Sequence, residues 1–314
     1  MNFSHLFGPV HSRRLGRSLG VDMVPFKTCT CNCVYCELGS ATVSFAERRE
    51  YVPAGELIDE LQHFIAVSSQ FDYVTFAGSG EPTLNTALGT VIRFIKKTYP
   101  FLKIALLTNS TLLHISDVRE EILPCDLVLP SLDAVSEEIF HKINCPCPGL
   151  NAKQVVEGLI EFARIYKGQL WVEVFIVPDV NDSSAELELF REVLLKINPT
   201  RVQLNSLDRP GACSWVTTAS SESLQKIASY FSPLPVEIIS RKAIDTITTL
   251  PHPENCEGTI VHQLQRRPAT LEEIAVMCSA TINEVTIAVE ALVKKRTLTI
   301  SIVDGKTFYT VRKN

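Results

Sequence analysis

The chain has 314 residues, of which 46% are hydrophobic, and its formal net charge is −5. This length allows one domain of about 250 residues and a smaller second domain, and the slightly acidic balance argues against general electrostatic binding of nucleic acid. No run of eighteen apolar residues predicts a membrane span, and residues 1–5 lack the pattern of a secretory signal, so we expect a cytoplasmic protein without a membrane partner. Ten cysteines are many for a reducing compartment, which favours metal binding over disulfide bonds.

The first predicted strand covers residues 16–24 and is entered through glycines. Arg13, Arg14 and Arg17 place three guanidinium groups at its start. For so short a basic run, a solvated loop is the favoured interpretation. The alternative is a clamp for phosphate or carboxylate groups beside the loop that follows, because arginine binds these anions through two hydrogen bonds.

This strand leads into residues 27–36, which we call the cysteine loop. Cys29, Cys33 and Cys36 have the spacing C-x3-C-x2-C, and three thiolates on one short loop can hold three irons of a [4Fe–4S] cluster. A structural zinc site usually needs a second pair of ligands with similar spacing, and none follows. We therefore predict these three cysteines as cluster ligands and Cys31 as a bystander thiol.

Strands and helices alternate through the middle of the chain. Apolar residues at helical spacing predict helices over 56–68, 88–98, 151–166 and 187–197. Short apolar runs predict strands over 73–77, 103–108, 127–131, 170–177 and 202–204. Such alternation predicts an α/β fold with a parallel sheet, and six strands fit a partial (βα)6 barrel. The active site of such a barrel lies at the carboxyl ends of its strands.

Candidate ligand-binding residues follow these strands where the predicted barrel would bind a ligand. The second strand runs into residues 78–82, Gly-Ser-Gly-Glu-Pro, whose glycines let the backbone approach a ligand closely. Polar residues end three later strands: Thr108, Asn109, Ser131, Asp133 and Asn205. Glu173 is charged within an otherwise apolar strand, which indicates the barrel interior.

Asp133 has two equally good interpretations. Ser131 and Asp133 alternate along an extended chain, so both could reach one ligand. Asp133 or Ser136 could instead be the N-cap of a helix that runs through Ile139.

Residues 7–22, Phe-Gly-Pro-Val-His-Ser-Arg-Arg-Leu-Gly-Arg-Ser-Leu-Gly-Val-Asp, lead into the cysteine loop. Together they resemble radical S-adenosylmethionine (SAM) enzymes of the family related to wyosine tRNA-base synthetases, and the resemblance covers nearly the full chain. It implies that the open iron of a [4Fe–4S] cluster binds the amino and carboxylate groups of SAM, which is cleaved reductively to a 5′-deoxyadenosyl radical. Residues 78–82 look like the Gly-Gly-Glu-Pro segment of these enzymes.

The resemblance also implies the partners and the cofactor site. A flavodoxin or ferredoxin would supply the electron. The predicted SAM-binding residues are Tyr35, Gly78, Ser79, Gly80, Glu81, Thr108, Asn109, Ser131, Asp133 and Asn205.

Residues 144–148, Asn-Cys-Pro-Cys-Pro, depart from the family's pattern Asn-Arg-Pro-His-Pro. The favoured interpretation is a rigid turn that the prolines fix. The alternative is a second metal site, formed by Cys145 and Cys147 with one of Cys125, Cys213 or Cys256.

The carboxyl-terminal region predicts a separate small domain. The predicted boundaries are a barrel over 1–250, a linker over 251–258 and a winged helix-turn-helix domain over 259–314. Within that last domain, helices are predicted over 259–265, 270–277 and 282–295, and a hairpin over 298–311 around Asp304-Gly305. Winged helices often bind nucleic acid, yet residues 256–314 contain eight Lys and Arg against six Asp and Glu. The macromolecule that this domain binds is therefore either a tRNA or a protein, and the sequence leaves both alternatives open.

Two functions compete at this point. The first is a radical SAM enzyme, with modification of a tRNA base as its candidate reaction. The second is an iron–sulfur redox sensor that acts through the winged helix. Residues 78–82 and the polar strand ends favour the enzyme, because a sensor needs no SAM pocket.

Overall fold

The computed structural model describes residues 3–12, 14–39, 47–68, 70–239, 256–278 and 280–312. These residues divide into two compact units. The first unit contains the described residues up to 34, those from 47 to 206 and those from 219 to 239. The second contains residues 35–39 and 207–218 together with the described residues from 256 onward. The predicted domain boundaries stay a prediction, and residues 251–255 of the predicted linker lie outside the described residues.

An eight-stranded sheet forms the frame of the first unit, and its strands lie side by side in chain order. The strands are β1 (Leu6–Ser12), β2 (Gly16–Val21), β3 (Tyr73–Phe76), β4 (Lys103–Thr108), β5 (Leu127–Pro130), β6 (Gln169–Ile176), β7 (Arg201–Ser206) and β8 (Val236–Ile238). Strand β1 is antiparallel to β2, and each later strand is parallel to the one before it. The predicted α/β class with a partial barrel is confirmed.

The sheet has two strands more than the sequence predicts. Strand β8 follows the last predicted strand, and β1 precedes the first. Strand β1 contains Gly8 and Pro9, which argue against a strand in a sequence pattern. It is tolerated because β1 pairs only with β2 among the described residues and has a shift of register between Phe7 and Val10.

Seven helices of the first unit connect the strands. They are α1 (Ala54–Val67), α2 (Leu88–Thr98), α3 (Ser116–Ile122), α4 (Glu137–Asn144), α5 (Ala152–Ile165), α6 (Ser184–Ile197) and α7 (Ser221–Tyr230). Alternate strand residues such as Val74 and Phe76 belong to the main hydrophobic core with the apolar faces of these helices. Strand residues on the opposite face of the sheet, such as Ala105, Leu129 and Trp171, form a smaller hydrophobic cluster. Burial on both faces explains why the strands read as nearly continuous apolar runs.

The second unit has its own hydrophobic core, to which Ile260, Val285 and Leu298 belong. Its elements are α8 (Cys256–Leu264), α9 (Leu271–Met277), α10 (Ile282–Lys294), β9 (Leu298–Val303) and β10 (Lys306–Val311). Capping boxes begin α9 and α10, and Asp304 and Gly305 both have positive φ, as a tight hairpin turn requires. The predicted helices and hairpin are present, and their assignment as a winged helix-turn-helix stays a prediction.

In the part of the chain that the structure describes, no single helix is long and apolar enough to cross a membrane. Among the described helices, α9 and α10 pass that test together as a bent pair, by length and composition alone.

Candidate cluster and cofactor site

Backbone hydrogen bonds fix the first part of the cysteine loop against the end of α4. The amide of Val34 donates to the carbonyl of Ile143 at 2.9 Å, and the amide of Cys147 donates to the carbonyl of Thr30 at 2.9 Å. Cys31 and Pro146 form an isolated antiparallel bridge between these interactions. The segment that departs from the family pattern is therefore a turn that supports the cysteine loop.

Two asparagine amides reach the sulfur atoms of the predicted cluster ligands in this unit. Nδ2 of Asn109 lies 3.4 Å from Sγ of Cys29, and Nδ2 of Asn144 lies 3.5 Å from Sγ of Cys33. Both cysteines are half-buried. Hydrogen bonds to ligand sulfurs orient them and tune the potential of a cluster. The donors therefore suit thiolates that ligate a metal cluster.

Cys31 has a different environment from Cys29 and Cys33. It is 2% exposed. A hydrogen bond with Cys33, burial, and the neighbouring Cys33 and Cys29 all raise the pKa of Cys31. Its near-complete burial distinguishes Cys31 from the half-buried Cys29 and Cys33, and its role as a bystander stays a prediction.

Among the described residues, no group of three or more His, Cys, Asp or Glu side chains could hold a single metal ion. A [4Fe–4S] cluster binds each thiolate to a different iron, so its ligands stand farther apart than those of one ion. The half-buried cysteines and their amide donors therefore fit a cluster on chemical grounds. Cys36 and Tyr35 belong to the second unit and are described with it.

The alternative of a second metal site finds no support in the described part of the chain. Cys125 is buried, and burial together with Asp126 raises its pKa. A buried, protonated thiol is a poor metal ligand. The side chain of Cys256 lies outside the described residues.

Residues 78–82 lie directly against the cysteine loop. The amide of Lys27 donates to the carbonyl of Ser79 at 2.6 Å, and the amide of Glu81 donates to the carbonyl of Thr28 at 3.0 Å. A Cβ atom on Gly80 would lie 2.0 Å from the carbonyl oxygen of Thr28. Only glycine allows this approach, so the glycine segment and the cysteine loop form one backbone structure.

The side chains of Ser79 and Glu81 hold that structure in place. Ser79 donates from its backbone amide and its hydroxyl to the carboxylate of Asp22. The carboxylate of Glu81 is 2% exposed and accepts hydrogen bonds from the hydroxyls of Thr83 and Thr108 and from the amide of Asn109. Glu81 thus positions Asn109, the residue whose side chain reaches Cys29. The prediction that Glu81 contacts SAM itself stays a prediction.

Asp133 connects three elements of the first unit. Its carboxylate accepts from Nδ2 of Asn144 at 2.8 Å and from the amide of Phe175 at 3.1 Å. The N-cap of α4 is Ser136, which makes no side-chain cap hydrogen bond. The N-cap interpretation of Asp133 is therefore wrong, because its carboxylate is used to fix Asn144 and β6.

Ser131 and Thr108 join the ends of β4 and β5 through the backbone. The amide of Ser131 donates to the carbonyl of Thr108 at 2.9 Å, and the carbonyl of Ser131 accepts from the hydroxyl of Ser110 at 2.6 Å. These two predicted site residues therefore lie together at the carboxyl ends of neighbouring strands.

A charged pair lies among the polar residues of the sheet. Glu173 forms an ion pair with Arg14, and Nδ2 of Asn205 lies 3.5 Å from its carboxylate. Arg14 is therefore not part of a solvated loop, whereas Arg17 makes an exposed contact with Gln70 and Arg13 lies outside the described residues.

Sequence reasoning missed Asn144, Asp22 and the pairing of Arg14 with Glu173. A signal existed for Asn144, because it is one of three positions in residues 144–148 that keep the family pattern. The lone glutamate in β6 was the signal for a half-buried cation, although nothing local in the sequence identifies Arg14 as its partner.

Comparisons with known proteins show the family of the chain. The model of the radical SAM superfamily matches residues 23–190, more than half of the chain. The chain is 32% identical to a UPF0026 protein of Helicobacter pylori over 98% of both chains. It is 36% identical to a Brachyspira hyodysenteriae protein named GTPase Obg over 98% of this chain, which spans only 45% of that relative.

Solved structures with a similar fold include one that illustrates the match. It is the structure of TYW1 with a lysine-pyruvate adduct bound, which matches with a TM-score of 0.53 and 17% identity over 68% of this chain and 72% of the other. The shared fold, the matched superfamily model and the cysteine loop lead to one conclusion. The chain belongs to the radical SAM superfamily of enzymes, which use a [4Fe–4S] cluster and SAM.

Proposed function

We propose that this protein binds a [4Fe–4S] cluster through Cys29, Cys33 and Cys36 and cleaves SAM reductively. The observation that carries the proposal is the backbone pairing of residues 78–82 with the cysteine loop. In this arrangement the segment predicted to bind SAM adjoins the loop predicted to hold the cluster. When bound, the cluster supplies one electron that breaks the C5′–S bond of SAM, which gives methionine and a 5′-deoxyadenosyl radical.

The residues of the chain bind and orient the reactants. Asn109 and Asn144 donate hydrogen bonds to the sulfurs of Cys29 and Cys33. Gly80 permits the close approach of the two backbone segments, and buried Glu81 keeps Asn109 in place. A flavodoxin or ferredoxin supplies the electron, and the protein acts in the cytoplasm.

The substrate is a base of tRNA. This part of the proposal is supported by the resemblance of residues 7–22 to enzymes related to wyosine tRNA-base synthetases and by the fold shared with TYW1. Glu173, Arg14 and Asn205 add charged and amide groups that suit the polar edge of a nucleobase. A redox sensor needs no SAM pocket, so residues 78–82 and the polar strand ends favour the enzyme. The carboxyl-terminal domain is the part that recognises the macromolecule.

The first experiment tests SAM cleavage. Anaerobically reconstituted protein is incubated with dithionite and SAM, and 5′-deoxyadenosine is measured by liquid chromatography. Wild-type protein should form it slowly even without substrate, and Cys29→Ala should form none. Cys125→Ala should behave as wild type, because Cys125 belongs to the hydrophobic core and is not a predicted cluster ligand. A protein with an intact cluster that neither binds SAM nor forms 5′-deoxyadenosine would leave the sensor as the better function.

A second experiment tests the substrate. Nucleosides from the bulk tRNA of a deletion strain and its parent are compared by mass spectrometry. The deletion strain should lose one modified nucleoside and accumulate its precursor. Identical nucleoside profiles would remove tRNA as the substrate while leaving SAM cleavage in place.

A further inference from the structure

Residues 35–39 belong to the second unit. They are the last two residues of the cysteine loop, Tyr35 and Cys36, and the three residues that follow it. The amide of Gly39 donates to the carbonyl of Cys36 at 2.9 Å and closes a turn. A Cβ atom on Gly211 would lie 3.0 Å from the Cα atom of Tyr35. The segment 207–218 therefore packs on the backbone that carries Cys36.

Arg209, in the same segment, is 5% exposed and makes several polar contacts within this unit. Its guanidinium donates two hydrogen bonds of 2.6 Å to the carboxylate of Glu273 and one of 2.8 Å to the carbonyl of Pro268. Glu273 also accepts from the amide of Thr270 and so begins α9. A buried bidentate ion pair of this kind has a defined geometry, unlike an exposed ion pair.

A second carboxylate approaches Arg209 from the cysteine-loop side. Nε of Arg209 lies 3.7 Å from Oε1 of Glu37, the residue after Cys36. Burial raises the pKa of Glu273, but its hydrogen bond with Arg209 and the charge of Arg209 outweigh burial and hold that pKa at about 2. Both carboxylates thus face one buried cation, whose guanidinium also lies 5.9 Å from the ring of Phe308.

We propose that Arg209 is a positioning residue that fixes the end of the cysteine loop to the carboxyl-terminal domain through Glu37 and Glu273. The folded carboxyl-terminal domain then sets the order of Cys36 and the stability of the bound cluster. Its role in cluster stability rests on the proposed function, in which Cys36 is a ligand. The domain thus orders a predicted cluster ligand of its own unit, in addition to recognising the macromolecule.

The experiment uses the full-length protein and measures two quantities. The first is hydrogen–deuterium exchange of residues 35–39 without a cluster. The second is the anaerobic rate at which reconstituted protein loses iron to a ferrous chelator, together with the electron paramagnetic resonance spectrum of the reduced cluster. The variants are Glu37→Gln, Arg209→Met and the double variant, and Arg201→Met is the matched control because it removes the arginine of another Arg–Glu pair, with Glu237.

Glu37→Gln and Arg209→Met should each speed exchange of residues 35–39 and iron loss several-fold and alter the spectrum. The double variant should be no faster than Arg209→Met, because both changes break one connection. Arg201→Met should match wild type in all three measurements. Arg209→Lys, which keeps the charge, should show exchange and iron loss between those of wild type and Arg209→Met.

Wild-type exchange at residues 35–39 in folded Glu37→Gln and Arg209→Met would overturn the proposal. Arg209→Met leaves Glu273 buried without its partner, so Arg209→Met with Glu273→Met replaces it if the single variant does not fold. A wild-type protein that assembles no cluster would refute the proposed function, while the exchange measurement would still decide the role of Arg209.

Discussion

The cysteine loop and the three residues after it form two parts, residues 27–34 and residues 35–39, which are held by different kinds of interaction. In residues 27–34, backbone hydrogen bonds to residues 78–82 and 143–147 fix the chain. In residues 35–39, the guanidinium of Arg209 approaches Glu37, and Gly211 packs closely on Tyr35. Backbone hydrogen bonds persist through most side-chain substitutions. A contact made by one buried side chain is lost when that side chain is replaced. Substitutions of glycine or cysteine should therefore disturb the first part most. Substitutions of charged residues should disturb the second part most.

The largest expected effect is the loss of the cluster itself. Replacing Cys29, Cys33 or Cys36 by alanine should abolish cluster assembly, because each thiolate holds one iron. Wild-type protein and Cys31→Ala should each contain about four irons and four sulfides per chain after reconstitution, as one cluster requires. Iron and sulfide assays measure this. If Cys31→Ala loses the cluster while one of the other three variants keeps it, the ligand assignment is wrong.

Gly80→Ala tests the backbone contact of the first part. A Cβ atom at this position would overlap the carbonyl oxygen of Thr28, so the variant should lose at least about 2 kcal/mol of unfolding free energy, as overpacked sites do. Gly55→Ala is the matched control, since nothing lies within 4 Å of its added atom. Denaturant unfolding of both variants gives the comparison. Equal stability of the two would mean that residues 78–82 are not held against the loop.

Glu81 gives the first part a pH dependence. Burial raises the pKa of Glu81 above its ordinary value of 4.5, although hydrogen bonds from Asn109, Thr83 and Thr108 oppose the rise. The folded state then binds this proton more tightly than the unfolded chain. Its contribution is fully present below the unfolded pKa and is lost as pH rises through the raised folded value.

Glu81→Gln should therefore flatten the fall of unfolding free energy above pH 4.5. The exposed Glu192→Gln on α6 is the control and should keep the wild-type slope. Chemical unfolding over a pH series measures both. A wild-type slope in Glu81→Gln would show that Glu81 does not titrate in this range.

The smallest expected effect is on the cluster's potential. Asn144→Leu removes an N–H donor to the sulfur of Cys33, so the reduction potential should become more negative, because hydrogen bonds to ligand sulfurs stabilise the reduced cluster. Spectroelectrochemistry of reconstituted protein measures the shift. Asn283→Leu, at an exposed asparagine of α10, should leave the potential unchanged. An unchanged potential in Asn144→Leu would show that this amide does not reach the bound cluster.

Local sequence patterns determined much of the fold. The predicted helix over 88–98 matches α2 at both ends, and the Asp304-Gly305 turn lies between β9 and β10 as expected. Apolar spacing and turn residues act over a few positions, so they can be read without the tertiary structure. Strand β1 was missed because its pairing with β2, and not its own sequence, stabilises it.

The cysteine spacing and the glycine segment were also visible in the sequence, as was the order of strands and helices. Only the tertiary structure decided which side chains from distant parts of the chain contact these segments and fix them. Asn144 meets Cys33 across 111 positions of the chain, and Arg209 meets Glu273 across 64. Hydrogen bonds and ion pairs between such distant residues depend on where the folded backbone places their atoms, and no local pattern of residues encodes that placement.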